Sequence, residues 1–115
     1  MKITKTITTE TWIDEKTIQE ISKQSNGYFV RYSEYGMHFD CISREEHDAL
    51  LKAFKGKVIT DKESVDASHY VIDHIQSYWG NKYGGTIQVG GLQTSIEYDT
   101  YKTLRKRLPK LEKKM

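Results

Sequence analysis

Residues 42–54 and 96–108 align without a gap at an offset of 54, and this echo constrains the fold more than any other feature of the chain. Ile42 falls on Ile96, Leu50 on Leu104, Lys52 on Lys106 and Phe54 on Leu108. Each stretch follows a hairpin pattern, so the shared unit reads as strand, strand, helix. Any amphipathic helix after a strand would also match at these few places. If the echo is a duplication, two ββα units form one antiparallel sheet with its helices on one face.

Local signals fill in the elements. Residues 3–13 are rich in Thr and β-branched side chains, with Ile3, Ile7 and Ile13 at even separations, and read as a strand with one apolar face. Asp14 is placed to cap a helix over 14–25, where Ile18 and Ile21 stand three apart and Asn26-Gly27 supplies a left-handed stop. Residues 28–32 and 37–42 read as a hairpin through Ser33-Glu34-Tyr35-Gly36, with Val30, Tyr32, Met37 and Phe39 inward. Ser43 and Glu46 have the spacing of a capping box, so a helix starts there, buries Ala49, Leu50, Ala53 and Phe54, and ends at Gly56. Residues 57–60 are a short strand or link. Ser64 or Asp66 starts a third helix carrying Ala67, Val71, Ile75 and Tyr78.

Residues 86–89 and 92–98 form a second hairpin around Gly90-Gly91. Asp99 caps a last helix whose buried side holds Tyr101, Leu104 and Leu108, Pro109 bends or ends it, and residues 111–115 fray. The expectation is one α+β domain over residues 1–115, with a basic C-terminal helix or tail from 99 to 115. Its antiparallel sheet has about five strands, two hairpins plus the N-terminal strand, and it carries about four helices.

A chain of 115 residues has room for one core. Its apolar fraction of 37% and mean hydropathy of −0.71 are lean, yet the apolar residues cluster in periodic segments, which separates it from a disordered chain. No run approaches the ~20 apolar residues of a membrane span, and the N-terminus lacks an apolar signal core, so no membrane role is expected. Cys41 is the single cysteine, which excludes an internal disulfide and a cysteine-built zinc site. A cytoplasmic location follows as the expectation. The formal charge of +2 hides an asymmetry. Between 102 and 114 stand seven basic residues, Lys102, Arg105, Lys106, Arg107, Lys110, Lys113 and Lys114, against Glu112 alone. The remaining 11 basic and 15 acidic residues leave the body at −4.

Few residues carry the pattern of catalysis. On a helix, His69 and His74 are rotated ~140° apart and cannot share an ion, whereas Asp66, His69 and Asp73 share a face and suit a metal or a polarised water. A solvated polar face is the commoner meaning of that pattern. His38 with Asp40, and His47 with Asp48, lack the third member of a nucleophilic triad. Cys41 is a nucleophile only if His38 or His47 reaches it; otherwise it is a small core residue. No catalytic residue, metal or cofactor is therefore assigned.

Binding has better support. The cations Lys102, Arg105, Lys106, Arg107 and Lys110 surround the apolar stripe of the last helix and suit a phosphate backbone or an acidic protein patch. The same cations also complement a helix C-terminus. Trp79-Gly80-Asn81-Lys82-Tyr83-Gly84-Gly85 lacks the Lys-Ser/Thr ending of a phosphate-cradling loop. It is either a connection or an aromatic contact surface led by Trp79 and Tyr83. Tyrosines are abundant, among them Tyr28, Tyr32, Tyr35, Tyr78, Tyr83, Tyr98 and Tyr101, and those outside the core suit base stacking or partner pockets.

The stretch Tyr35-Gly36-Met37-His38-Phe39-Asp40-Cys41-Ile42-Ser43-Arg44-Glu45-Glu46-His47 resembles a pattern of small bacteriophage and mobile-element proteins, with a Gly turn, a short strand and an S-x-E-E helix start. In its Lys, Ile and Tyr bias the chain is similar in style to phage accessory proteins, including anti-CRISPR proteins. That resemblance implies a non-enzymatic inhibitor of a host defence or ribonucleoprotein complex, acting in the host cytosol. The basic tail departs from the acidic DNA mimics of that kind and favours a guide RNA, an RNA-containing complex or a protein surface. Two alternatives stand beside it: a small nucleic-acid-binding regulator using RNA or DNA, and a small metal-dependent nuclease. Either a monomer or a homodimer fits.

Overall fold

The computed structural model describes residues 2–4, 10–33, 37–63 and 65–114, with side chains from Ile13 onward except Met37. Strands β1 (Lys2–Thr4) and β2 (Glu10–Trp12) pair antiparallel, and a 3-10 turn at Glu15–Thr17 leads to β3 (Ile18–Gln24), β4 (Gly27–Ser33) and β5 (Met37–Ile42). Helix α1 (Arg44–Ala53) follows, then β6 (Val58–Glu63), β7 (Asp66–Val71) and a second 3-10 turn at Ile72–His74. Strands β8 (Ile75–Asn81), β9 (Gly84–Val89) and β10 (Leu92–Ile96) lead into helix α2 (Tyr98–Arg107) and a last 3-10 turn at Pro109–Leu111. The strands form a two-stranded sheet β1-β2, a five-stranded antiparallel sheet β5-β4-β3-β7-β6, and a three-stranded antiparallel sheet β10-β9-β8.

The chain is a structural duplication. From the 3-10 turn at Glu15 to the one at Ile72 the offset is 57, and it holds through β3 and β8. Both pairings carry a register shift at the same place, Ile18/Glu20 and Ile75/Ser77. Gly27 and Gly84 open β4 and β9 with φ of 144° and 145°, a conformation glycine alone adopts readily. The first hairpin is three residues longer, one each in β4, the link and β5, which reduces the offset to 54, the value read from the sequence, at which α1 and α2 span equivalent residues. Core positions obey the same rule. Ile18 and Ile75, Ile21 and Tyr78, Val30 and Ile87, Ile42 and Ile96, and Leu50 and Leu104 are all buried pairs.

Each unit has its own core, around Ile18, Ile21, Val30 and Leu50 in the first and Ile75, Tyr78, Ile87 and Leu104 in the second. The hairpin β6-β7 is the wall between them. Strand alternation turns Val58 and Val71 to the first core and Ile59 and Tyr70 to the second. A hydrogen bond between His74 Nε2 and the Lys16 carbonyl, 2.8 Å, ties the equivalent 3-10 turns of the two units together.

The sheet-rich architecture corrects the expectation of five strands and four helices. Residues 14–25 hold one 3-10 turn and then β3; Asp14 does cap, accepting from Lys16 N at 3.0 Å, but for that single turn. β3 lies mid-sheet and buries every residue from Ile18 to Ser22, so it shows no alternation, and its Ile18–Ile21 spacing imitates a helix. The expected third helix is β7, a 3-10 turn and β8. There the turn and the irregularity at Ser77 reset the strand phase, so Val71, Ile75 and Tyr78 fall at helical intervals without a helix.

Other expectations divide. The N-terminal strand is two strands, and residues 5–9, including Ile7, lie outside the described residues, as do Glu34, Tyr35 and Gly36 of the first turn. Val30 and Tyr32 face inward, but Phe39 is 52% exposed and stacks on Phe29. The Ser43–Glu46 capping box forms in both directions. On α1, Leu50 is buried as expected, while His47 is buried in place of the exposed Ala49 and Ala53. Asp99 does not cap α2. Its N-cap is Glu97, and the buried Asp61 of β6 serves the cap from outside, accepting from Glu97 N at 3.0 Å and Thr100 Oγ1 at 2.5 Å. Residues 111–113 do not fray: Leu111 packs on the second core and Lys113 N donates to the Tyr78 carbonyl at 2.7 Å.

Candidate functional site

Helix α2 buries Thr100, Tyr101 and Leu104 and turns Lys102, Arg105 and Lys106 outward, where they line one shallow cleft. The amphipathic spacing does this: with Tyr101 and Leu104 committed to the core, positions 102, 105 and 106 fall on the opposite side. Strand β8 and the tip of its hairpin lie against the same helix because Gly80 and Gly85 pair across β8 and β9 with no side chains between. A Cβ on Gly80 would stand 3.0 Å from Tyr101 Cδ1, and one on Gly85 3.4 Å from Tyr101 Cβ. The two glycines form the seat of the Tyr101 ring.

Aromatic and cationic groups interleave from that seat outward. Lys102 Nζ lies 5.3 Å from the Tyr98 ring centre, the Arg105 guanidinium 5.7 Å from Tyr101, Lys113 Nζ 5.6 Å from Trp79, and Lys82 Nζ 5.1 Å from Tyr83. Tyr83 is 82% exposed at the hairpin tip and Tyr98 is exposed beside Lys102. Glu112 organises the middle, accepting from Tyr101 Oη at 2.5 Å and standing 3.5 Å from Arg105 Nε. That hydrogen bond, ahead of burial, raises the Tyr101 phenol above its usual range. A cleft of about 400 Å³ runs beside Trp79, Asn81, Tyr83 and Thr86.

Of the residues predicted to bind, Lys102, Arg105 and Lys106 line one cleft, Trp79 and Tyr83 line another on the β8-β9 hairpin, and Lys110 is exposed on the turn that follows α2. Arg107 does not join them. Its guanidinium donates to the Gly56 and Val58 carbonyls at 2.8 and 2.9 Å and fastens α2 to the link between the units. Lys82 is absent from the residues expected to bind, Tyr98 stands only among the tyrosines suited to stacking, and Lys113 only in the basic run. The Gly80 and Gly85 pair was the available signal, once Tyr101 is known to sit on it.

The opposite end of α2 is acidic. Glu97 is raised above its ordinary carboxyl range, first by desolvation and then by Asp61, Glu63 and Asp99. Charge is thus separated along α2, basic on the Lys102–Lys106 side and acidic at the helix start.

The chemical alternatives come apart in the structure. Asp66 and His69 are an odd number of residues apart on β7, so strand alternation sends them to opposite faces, and Asp73 sits in a different element. His69 Nδ1 lies 2.8 Å from Thr60 Oγ1. Asp40 accepts from Tyr32 Oη at 2.6 Å, and His38 stacks on the Tyr32 ring. His47 and Asp48, although adjacent, do meet, with Nδ1 and Oδ1 3.0 Å apart. Cys41 is exposed on β5 and not a core residue. Among the described residues, no group of three His, Cys, Asp or Glu side chains is placed to hold a metal ion. Among the same residues, no helix is long and apolar enough to cross a membrane.

Duplicated hairpin and ββ-strand units joined through one five-stranded sheet, each closed by a helix, define a class of β-rich domain. The fold is similar to that of a LytTr DNA-binding domain from Bacillus cereus, with a TM-score of 0.62 over 92% of this chain and 93% of that one. Identity between the two is 13%, so the likeness is one of fold. No family model matches the sequence, and no curated protein matches it.

Proposed function

We propose that the chain is a nucleic-acid-binding regulatory domain that engages a phosphate backbone with Lys102, Arg105 and Lys106 and sets Tyr83 and Trp79 against bases or sugars. The observation that carries this reading is a helix face with three outward cations, packed through Tyr101 on a hairpin that bears the exposed Tyr83 and the half-buried Trp79, with a cation beside each of these rings and beside the exposed Tyr98. Cations neutralise phosphates and release counterions, and aromatic faces stack on any base. The fold likeness to a domain described as DNA-binding makes duplex DNA the first ligand to test. It favours this reading over the inhibitor of a host ribonucleoprotein complex that the style of the sequence implies.

The test is fluorescence anisotropy with labelled duplex and single-stranded DNA at low salt, comparing the wild type with Lys102→Glu/Arg105→Glu/Lys106→Glu and with Tyr83→Ala. The reading expects the charge reversal to lose at least about tenfold in affinity for either form, and Tyr83→Ala to weaken the single strand more than the duplex. Equal affinity in the wild type and the charge-reversed chain would exclude this face.

A further inference from the structure

Among the described residues, two sheet edges lack the strand partner that their equivalents in the other unit have. In the first unit, the edge of β3 away from β4 takes β7, with Glu20, Ile21, Ser22 and Lys23 opposite Tyr70, His69, Ser68 and Ala67. The equivalent residues of the second unit are Ser77, Tyr78, Trp79 and Gly80 of β8, 57 positions on. Among the described residues, no strand pairs with that edge of β8. It is covered instead by the C-terminal segment, which touches it through one parallel bridge, Tyr78 to Glu112, and the hydrogen bond from Lys113 N to the Tyr78 carbonyl. Leu111 plugs the core beneath. At the other end of the molecule, β2 is the equivalent of β7. Among the described residues it pairs only with β1.

We infer that the outer edge of β8 is a docking site for β2 of a second copy of this chain, and that residues 109–113 compete for it. The internal joint between β3 and β7 supplies the register: Tyr78 opposite Trp12, Trp79 opposite Thr11, Gly80 opposite Glu10. The contact is heterologous, so each copy offers one edge and accepts at the other, which generates a head-to-tail row or a closed ring. Open strand edges of this kind pair readily unless something covers them. The joint between copies is weaker than the internal one, because Asp14 stands where Val71 anchors in the first core. Assembly is therefore governed by concentration and by release of the C-terminal segment. It draws on the backbone edge of β8, yet Trp79, Glu112 and Lys113 also belong to the candidate nucleic-acid surface, so self-assembly and nucleic-acid binding are read by separate assays.

The experiment uses the full chain. Glu112→Ala/Lys113→Pro removes the Tyr101 and Arg105 contacts and the amide that bonds Tyr78, and frees the edge. Its weight-average mass in sedimentation is expected to rise with concentration past twice that of the monomer, while the wild type stays lighter at each concentration. In a Cys41→Ser background, equimolar Thr11→Cys and Trp79→Cys chains are mixed under mild oxidation. Directly opposed strand residues lie within disulfide reach. A crosslinked heterodimer is expected, faster with the C-terminal segment released, and Thr11→Cys with Gln76→Cys, which the register leaves unopposed, gives none. Where the released variant does not fold, the same crosslink in chains with an intact C-terminal segment decides. A folded released variant that stays monomeric, crosslinks that ignore register, or no crosslink in either background would overturn the inference.

Discussion

Replacing Asp61 with Ala tests whether β6 supplies the cap that α2 lacks. The side chain is 6% exposed and accepts two hydrogen bonds, from the backbone amide of the N-cap residue Glu97 and from the Thr100 hydroxyl. Loss of a capping-box-type acceptor for the N-cap amide costs about 1 kcal/mol, and loss of a hydrogen bond to a charged acceptor about 1.5. The two share one oxygen, so the sum is reduced by coupling and the expected cost is about 2 kcal/mol. For a domain of this size that lowers Tm by roughly 8 °C, at about 4 °C per kcal/mol. Relief of the crowded charge around Glu97 opposes the loss, but Glu97 is exposed and the relief is small. Urea denaturation of wild type, Asp61→Ala and Asp61→Asn provides the assay. Asn keeps an acceptor and should lose less than half as much as Ala. A cost below about 0.5 kcal/mol for Asp61→Ala would refute the view that this side chain closes the helix start.

Three further outcomes follow from packing and charge. Gly80→Ala puts a Cβ 2.7 Å from the Gly84 carbonyl oxygen and displaces Tyr101, so it should destabilise by about 2–3 kcal/mol in the same denaturation assay. Arg107→Ala should cost about 1 kcal/mol through its two carbonyl contacts and leave affinity for DNA within about twofold, unlike Arg105→Ala, as anisotropy will read. Burial, and then the charge of His47, hold His69 below its ordinary 6.5. The unfolded chain therefore takes up that proton first, and stability should fall as pH drops from 6.5 through the lowered folded value. Thermal melts should show this slope reduced in His69→Gln.

What the sequence revealed was what local chemistry decides. Ser43 and Glu46 announce a capping box because two side chains and two amides settle it without help from the rest of the fold. The 54-residue echo was legible because Leu50 and Leu104 fill equivalent places. The strands at 18–24 and 75–81 were hidden. β3 is buried on both faces and shows no period, and a bulge breaks the period of β8. At the candidate site, Lys102, Arg105 and Lys106 were evident from their spacing on one helix, whereas the packing of that helix on the hairpin that carries Trp79 and Tyr83 depends on Tyr101 seated across Gly80 and Gly85. Arg107 looked the same as its neighbours in sequence; its separate role comes from two carbonyls some fifty residues away, at Gly56 and Val58.

The measurement closest to the central claim is the affinity for duplex DNA as a function of salt, in wild type and in Lys102→Glu/Arg105→Glu/Lys106→Glu. Each phosphate neutralised contributes roughly 0.9 to the slope of log affinity against log salt. The account predicts a steep linear fall for the wild type and, for the variant, a slope shallower by about 2–3, matching the three cations lost. A wild-type affinity indifferent to salt, or identical slopes for the two chains, would contradict it.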